Sequence, residues 1–334
     1  MQVERVSAAE WNDALPRTGT GIFHGADALA VLEEHSPYSL ELVVGFKGDR
    51  PVALLPLFVR STPVGRLVAS PPPGLNVLRL GPVVMPASPK RGKRERVNRR
   101  FAETVIREFG IENRSTVFYM VCQAGFEDPR PFGWTDLNVA TLFTYRLDLT
   151  ENDPDQLLDA ASKSLRREVR DAATLDLTVQ REGLEAAKAV FELTRDRHVE
   201  QDRAVTLTWP YVRDVIESLG EMARVYTVRT ATGTLLTGII VLYSPEQAFF
   251  WYGGGRTQFE GVAVNSYLHW QIIREVHEDP PVETVQGYDL YGANTERLCR
   301  YKRKFGGGLV PYYRIDTGGL RMLLAERAYE FARR

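Results

Sequence analysis

Residues able to do chemistry crowd into two stretches late in the chain. The first runs WYGGGRTQFEGVAVNSYLHW from Trp251, and the second GYDLYGANTERLCRYKRKFGGG from Gly287. A strand that ends in a glycine-rich turn and leads into a helix makes an anion site, because unpaired N–H groups and the positive end of the helix dipole face the turn. Glycine at 253–255 would let a ligand approach the backbone closely. Downstream, Asp289 and Asn294 bracket another turn, and Tyr301–Phe305 sets three cations beside Gly306–Gly308. A hairpin with glycine turns and solvated lysines would account for either cluster alone; two clusters near strand ends point to a site.

The elements that must position these residues alternate between strand and helix. Leu40–Phe46, Val52–Val59, Leu78–Met85 and Ser115–Val121 read as strands, and Val97, Phe101, Val105 and Phe109 mark one helix face. After a Pro-rich break at Glu127–Trp134, a second cycle begins near Arg146. It opens with one helix from Asp153-Pro154, with Leu158, Ala161, Leu165 and Val169 on one face and Asp153 as N-cap. A helix over Gly183–His198 follows, then a three-strand meander of Arg224–Arg229, Leu235–Tyr243 and Ala248–Tyr252. Next come a helix with Val264, Leu268, Ile272 and Val276 in register, strands over Thr284–Leu290 and Leu309–Ile315, and a terminal helix. Leu40–Val59 and Arg224–Tyr243 share a strand–turn–strand pattern with Gly48 and Gly233 in matching turns. That is a repeat of pattern, expected of duplicated mixed α/β domains.

The expected organisation is a domain over 1–145, a second over 146–317, and a helix over 318–334 that packs back on the first. At 334 residues, 44% hydrophobic and 25% charged, the composition is globular and excludes wholesale disorder, collagen and coiled coil. The length suits two domains at roughly 100–200 residues each. No apolar run of about 18 residues occurs, and MQVERVSAAEW lacks a signal peptide's apolar stretch, so a soluble cytoplasmic protein with no integral membrane segment is expected. Cys122 and Cys299 form no CxxC pair, which argues against a disulfide framework or structural zinc.

Charge is unevenly spread. Lys90–Arg100, Lys163–Arg170 and Arg297–Lys304 together hold sixteen basic and two acidic residues, so a chain of net charge −1 leaves −15 for the rest. Three basic patches on an acidic body suit an anionic partner, although any one alone reads as a solvated helix face. There is no GxxxxGK[ST], no strand-borne GxGxxG and no GxSxG, and the five histidines show no metal-ligand spacing. Hydrolase triads, zinc enzymes and P-loop enzymes are thereby disfavoured. His198 extends the stripe Leu184, Ala187, Phe191, Thr194 and reads as packing.

The Tyr-Gly-rich turn, the Asn-Ser-Tyr-Leu-His-Trp helix, Tyr-Asp-Leu-Tyr-Gly and Tyr-Lys-Arg-Lys-Phe-Gly-Gly resemble the signature of FemAB-like acyltransferases, built from two fused GNAT-type domains. The resemblance reaches back to Lys163-Ser164-Leu165-Arg166-Arg167 and touches Ile22-Phe23-His24. It implies an α/β (α+β) fold of two tandem GNAT-like domains with mixed, mostly antiparallel sheets flanked by helices. It also implies transfer of an acyl or aminoacyl group to an amine. The family's "FK" lysine falls on Lys302, with Tyr301 in place of Phe.

Lys302, Tyr252 and Asn265 are the expected catalytic residues. Trp251, Gly253, Gly254, Tyr267, Asp289, Asn294, Arg303, Lys304, Arg166 and Arg167 are the expected substrate-binding residues, with no metal and no resident cofactor. Strands ending at Tyr252 and near Leu290 should be neighbours, with Lys302 looped over the gap close to Trp251, Tyr252 and Asn265, and Lys304 turned to solvent. Where a single-domain acetyltransferase carries [QR]xxGx[GA], this chain reads Arg256–Gly261 as RTQFEG, a departure that favours aminoacyl-tRNA over acetyl-CoA as donor. A CoA-dependent N-acetyltransferase is the alternative, and a non-catalytic module binding a phosphorylated ligand the third reading. The acceptor is an amine on a small molecule, peptide or cell-envelope precursor.

Overall fold

The computed structural model describes residues 1–150, 153–255, 258–319 and 322. The chain divides into two compact units, one of 1–142 with 311–334 and one of 143–310. The terminal helix expected beyond 317, and its packing, lie outside the described residues save for Gly318, Gly319 and Met322.

The first unit opens with β1 (Gln2–Arg5), α1 (Ala8–Ala14) and α2 (Ala26–Glu34). Ser7 and Glu10 close α1 with a reciprocal capping box. Then follow β2 (Ser39–Lys47), β3 (Arg50–Thr62), β4 (Gly65–Ser70), the two-residue β5 (Val83–Val84), α3 (Arg91–Glu108), β6 (Thr116–Val121) and α4 (Arg130–Gly133). Strands β1 to β4 pair antiparallel in sequence order, and β6 lies parallel to β4. The apolar stripe of α3, Phe101, Val105 and Ile106, is buried against Ala53, Leu55, Leu57 and Phe118 of this sheet. His24, fully buried, shares hydrogen bonds with Gly21 N–H and Gly81 C=O, so it is a packing residue. The strand expected over 78–85 shrinks to β5, because Leu80 and Gly81 both donate their N–H to Val121 C=O and Pro82 has no N–H to pair.

The second unit begins within β7 (Asn138–Asp148) and continues through α5 (Pro154–Ala160), α6 (Lys163–Ala172), β8 (Leu177–Glu182), α7 (Leu184–Glu200) and α8 (Trp209–Leu219). β9 (Ala223–Thr230), β10 (Leu235–Tyr243), β11 (Gln247–Gly255), α9 (Val264–Glu278), β12 (Gly287–Asp289) and α10 (Glu296–Lys302) complete it. Its sheet runs β7-β12-β11-β10-β9-β8, antiparallel throughout except for the parallel pair β11–β12. The last strand, β13 (Gly308–Asp316), returns to the first unit, where Arg314–Asp316 pair antiparallel with β6.

The duplicated pattern is real. In both units a tight turn at Gly48 or Gly233 joins two antiparallel strands, a third strand follows, and a helix leads to a strand parallel to the third. Both turn glycines have positive φ, 61° and 82°, the region where a Cβ is unfavourable.

One helix expected from Asp153 is two. Ala161 is extended and Ser162 caps a new helix by accepting the Leu165 N–H. The apolar stripe survives the break, because Leu165 is buried and Leu158 and Val169 pack on the same core as Val264, Leu268 and Ile272 of α9. Removing a fully buried side chain of this size from water contributes about 1.5–3 kcal/mol. That packing fixes α9 on one sheet face, while α7 crosses the other: a Cβ added to Gly238 would strike Val190 of α7.

The glycine run is not a turn. Gly253–Gly255 finish β11, paired with Ile239, Gly238 and Thr237. A Cβ on Gly253 would stand 2.4 Å from the Gly238 carbonyl oxygen, at a φ of 141°. The glycines are there because a neighbouring strand, not a ligand, comes close. Gly253→Ala should therefore cost about 2–4 kcal/mol in a urea titration, from overpacking and backbone strain together; a midpoint unchanged from wild type would contradict this.

Candidate functional site

The site is a fork in the second unit's sheet. β11 and β12 pair only over Gln247–Phe249 and Gly287–Asp289. Beyond that point β11 stays with β10 as far as Gly255, whereas the chain after Asp289 follows β7. There Leu290 donates to Tyr145 C=O at 2.9 Å and Ala293 to Phe143 C=O at 2.7 Å. Asn294, exposed, accepts the Phe143 N–H at 2.8 Å. The strands expected to be neighbours are neighbours, and they part just where the sequence places its polar residues.

The turn at the fork is braced from inside. Asp289, with no exposed surface, accepts the Thr144 hydroxyl at 2.6 Å and the Tyr291 N–H at 2.8 Å through Oδ1, and Arg146 lies 3.6 Å from Oδ2. Thr144 Oγ1 in turn accepts the Gly292 N–H at 3.0 Å. These contacts hold Tyr291 at φ +63°, a conformation that costs a non-glycine residue about 1–3 kcal/mol and persists only when its surroundings dictate it. The carbonyls of Tyr291 and Gly292 consequently converge. Lys302, 3% exposed, donates to them at 3.1 and 2.6 Å, with its ammonium 5.9 Å from the Phe250 ring on the opposite prong. Asp289 thus acts here as a brace for the lysine's turn.

Around this ammonium sits an aromatic wall. His269 of α9 packs edge-on against Phe250 at 4.8 Å and Phe305 at 5.3 Å, and its Nδ1 shares a hydrogen bond with the Tyr288 hydroxyl at 3.0 Å. Burial, then the Lys302 and Lys304 cations, push the His269 imidazole from 6.5 down to about 3, so it is neutral near pH 7.

Lys304 is not turned to solvent. It pairs with Glu168 of α6 at 2.7 Å, donates to Ser266 of α9 at 2.6 Å and lies 4.4 Å from the Tyr301 ring. The Lys304 carbonyl also accepts the Ser162 N–H at 3.0 Å. The Lys163–Arg167 helix and the Tyr301–Phe305 segment, far apart in sequence, therefore meet across α9. Arg166 is half-buried and donates to the Asp159 carbonyl, while Arg167 and Arg303 are exposed.

The expected catalytic trio does not assemble as one cluster. Asn265 accepts the Thr237 hydroxyl on the α9 side of the sheet, and Tyr267 is half-buried in the first turn of α9. Tyr252 points the other way, stacked on Phe191 of α7 at 6.0 Å, and burial pushes its hydroxyl up to about 12. Trp251 meets Tyr211 of α8 edge-on at 6.2 Å. The cause is a bulge: Ile240 pairs with Tyr252 and Val241 with Phe250, leaving Trp251 unopposed and shifting the alternation of side chains. On that second face Arg197 of α7 overlies Gly254, and burial, then the nearby Arg203 and Arg297 cations, hold its guanidinium below its ordinary range. Thr144, Phe250, Ser266 and Glu168, which meet Asp289, Lys302 and Lys304 here, and Arg197 on the second face are residues that sequence reasoning missed.

Residues 160–303 match the model of the acetyltransferase (GNAT) domain. The whole chain has the fold of the protein described as FemX, with TM-score 0.70 at 12% identity over 97% of this chain and 98% of that one. A tandem GNAT protein from the clavulanic acid biosynthesis pathway superposes with TM-score 0.53 at 15% identity, covering 95% and 99% of the two chains. L-PGS from Bacillus licheniformis does so with TM-score 0.57 at 10% identity and 96% of each. No curated protein sequence matches the chain. The fold is that of a FemAB-like double GNAT protein, and the match to the acetyltransferase (GNAT) domain falls within the second unit.

Two outcomes follow from the geometry. Thr144→Val leaves the Gly292 N–H and one Asp289 contact unmet in a buried turn, and should cost about 1–3 kcal/mol in urea titration, with Thr144→Ser retaining most of the stability. His269 binds its proton more weakly folded than unfolded, so it withdraws stability as pH falls from 6.5 toward about 3, by roughly 1.4 kcal/mol per unit across that window. His269→Gln should be less stable than wild type at pH 7 yet lose less between pH 7 and pH 5; parallel losses in the two proteins would exclude a neutral buried imidazole.

Proposed function

We propose that this protein is an acyltransferase that moves an aminoacyl group from aminoacyl-tRNA to an amine, with Lys302 as the group that stabilises the transition state. The observation that supports the reading best is the buried ammonium at the strand fork of a GNAT-type domain. A neutral amine attacks the ester carbonyl of the donor and forms the C–N bond, and the carbonyl oxygen gains negative charge beside a cation fixed beforehand by two carbonyls. The tetrahedral intermediate then collapses, breaking the ester C–O bond, and the ribose hydroxyl of the tRNA leaves with the proton the amine gives up. An activated ester needs little acid–base help, so much of the remaining rate comes from holding donor and amine together. Burial and the neighbouring lysine cations weaken the proton affinity of His269, and its Nδ1 is engaged by Tyr288, which makes it a poor general base.

Arg197, Arg203 and Arg297 gather positive charge suited to the donor's phosphates. The acceptor is an amine of a small molecule, peptide or envelope precursor. An acyl-CoA donor is the second reading, favoured by the acetyltransferase description of the matched domain.

Turnover with aminoacyl-tRNA and with acetyl-CoA, across a panel of amines, separates the two donors. On whichever donor reacts, Lys302→Met should lower turnover by about two to three orders of magnitude with donor affinity within a few-fold of wild type. Full turnover by the variant would remove Lys302 from the mechanism, and turnover with acetyl-CoA alone would replace the aminoacyl reading.

A further inference from the structure

Away from the fork, the first unit carries a surface that the acyl-transfer reading does not use. Trp134, just after α4, is 59% exposed, the largest apolar side chain so displayed among the described residues. Two guanidiniums lie against its ring, Arg99 of α3 at 5.6 Å and Arg130 of α4 at 5.7 Å. Neither arginine is loose: Glu103 holds Arg99 at 2.7 Å, and Asp128 and Glu95 hold Arg130 at 2.6 and 3.0 Å. The indole is thus presented to solvent in a frame of ion-paired arginines.

Beside it runs a stripe of charge. Lys93, Arg96 and Arg100 follow one another at i+3 and i+4 spacing on α3, which places them along one exposed side over about 10 Å of helix. Lys90 precedes them. None of these four has an acidic partner within salt-bridge distance among the described residues, in contrast to Arg91 and Arg99 on the same helix. Cations left without carboxylates next to a framed aromatic plane offer both halves of a polynucleotide site: charge for phosphates and a flat face for an unpaired base.

We propose that α3 and Trp134 form a binding surface for single-stranded nucleic acid, with backbone phosphates on Lys93, Arg96 and Arg100 and one base stacked on the indole. A lipid surface suits it less well. A helix that lies in a membrane interface turns an apolar face outward, whereas the apolar face of α3, Phe101, Val105 and Ile106, is buried in the unit's core. Trp134 then stands alone among charged side chains, too little apolar area to anchor in a bilayer. The surface lies outside the acyl-transfer site, so the proposal holds whichever donor that site takes.

Fluorescence anisotropy with a short labelled oligouridylate, over a series of salt concentrations, tests it in the full-length protein. Wild type should bind with affinity that falls as salt rises. The triple variant Lys93→Gln, Arg96→Gln, Arg100→Gln should flatten the log–log slope by about 2, since each phosphate contact on a single strand contributes roughly 0.7. Trp134→Ala should weaken binding by roughly 5- to 100-fold while keeping the slope, because stacking releases no counterions. Both changes are on the surface and should leave the melting temperature nearly unaltered. Absence of binding by the wild type at low salt, or wild-type binding by both variants, would overturn the proposal. Binding to phosphatidylglycerol vesicles without binding to oligouridylate would assign the surface to a membrane instead.

Discussion

Everything at the candidate site depends on β12 pairing with β11 at only three positions. A parallel pair that ran on would bury the backbone groups of both strands in a continuous ladder, and no side chain could enter between them. Because the chain leaves β11 after Asp289 and follows β7, the sheet has an interior edge with carbonyls to satisfy. A buried C=O needs a donor, and a lysine ammonium is a stronger one than a neutral amide. Lys302 Nζ supplies that donor and thereby sets an ammonium inside the fork.

The first unit repeats the topology without opening the fork. There β4 and β6 remain paired over five positions, Arg66–Ser70 with Thr116–Met120. Where a gap would begin, Leu80 and Gly81 donate to Val121 C=O at 3.0 and 2.8 Å, and Ser70 Oγ donates to Leu80 C=O at 3.3 Å. Gly81 fits so closely that an added Cβ would stand 2.7 Å from Cys122 Cα. Backbone fills the place that a lysine side chain occupies in the second unit. Two copies of one topology have been finished differently, and only the second leaves room for a charged group at the parallel pair.

Much of this was legible in the sequence, for identifiable reasons. The apolar runs of β3 and β10 and the four-residue stripes of α3 and α9 carry their own periodicity, and the turns at Gly48 and Gly233 follow from local φ preference. The gathering of Lys302, Asp289 and the Asn265 helix near one strand pair was legible from their order along the chain. The polar partners were not. Thr144 meets Asp289 across 145 residues, and Glu168 meets Lys304 across 136, so neither pair leaves a local trace. The glycine run misled because glycine marks two situations alike, a turn and a close approach of backbones, and only the pairing with Gly238 tells them apart.

The two lysines of the Tyr301–Phe305 segment show the same limit at its finest scale. Lys302 and Lys304 differ by two positions and nothing in their type separates them. The end of α10 separates them, because Lys302 is its last residue and Arg303–Phe305 form a tighter turn that closes at Gly306 with φ 83°. The two ammoniums consequently leave the backbone in different directions, one into the fork and the other to Glu168 and Ser266. A carboxylate partner makes Lys304 a clasp between α6 and α9, whereas Lys302 donates to the Tyr291 and Gly292 carbonyls and so sets its ammonium in the fork. The assignment of roles within this segment therefore rests on which acceptor each lysine meets, which is a property of the fold and not of the motif.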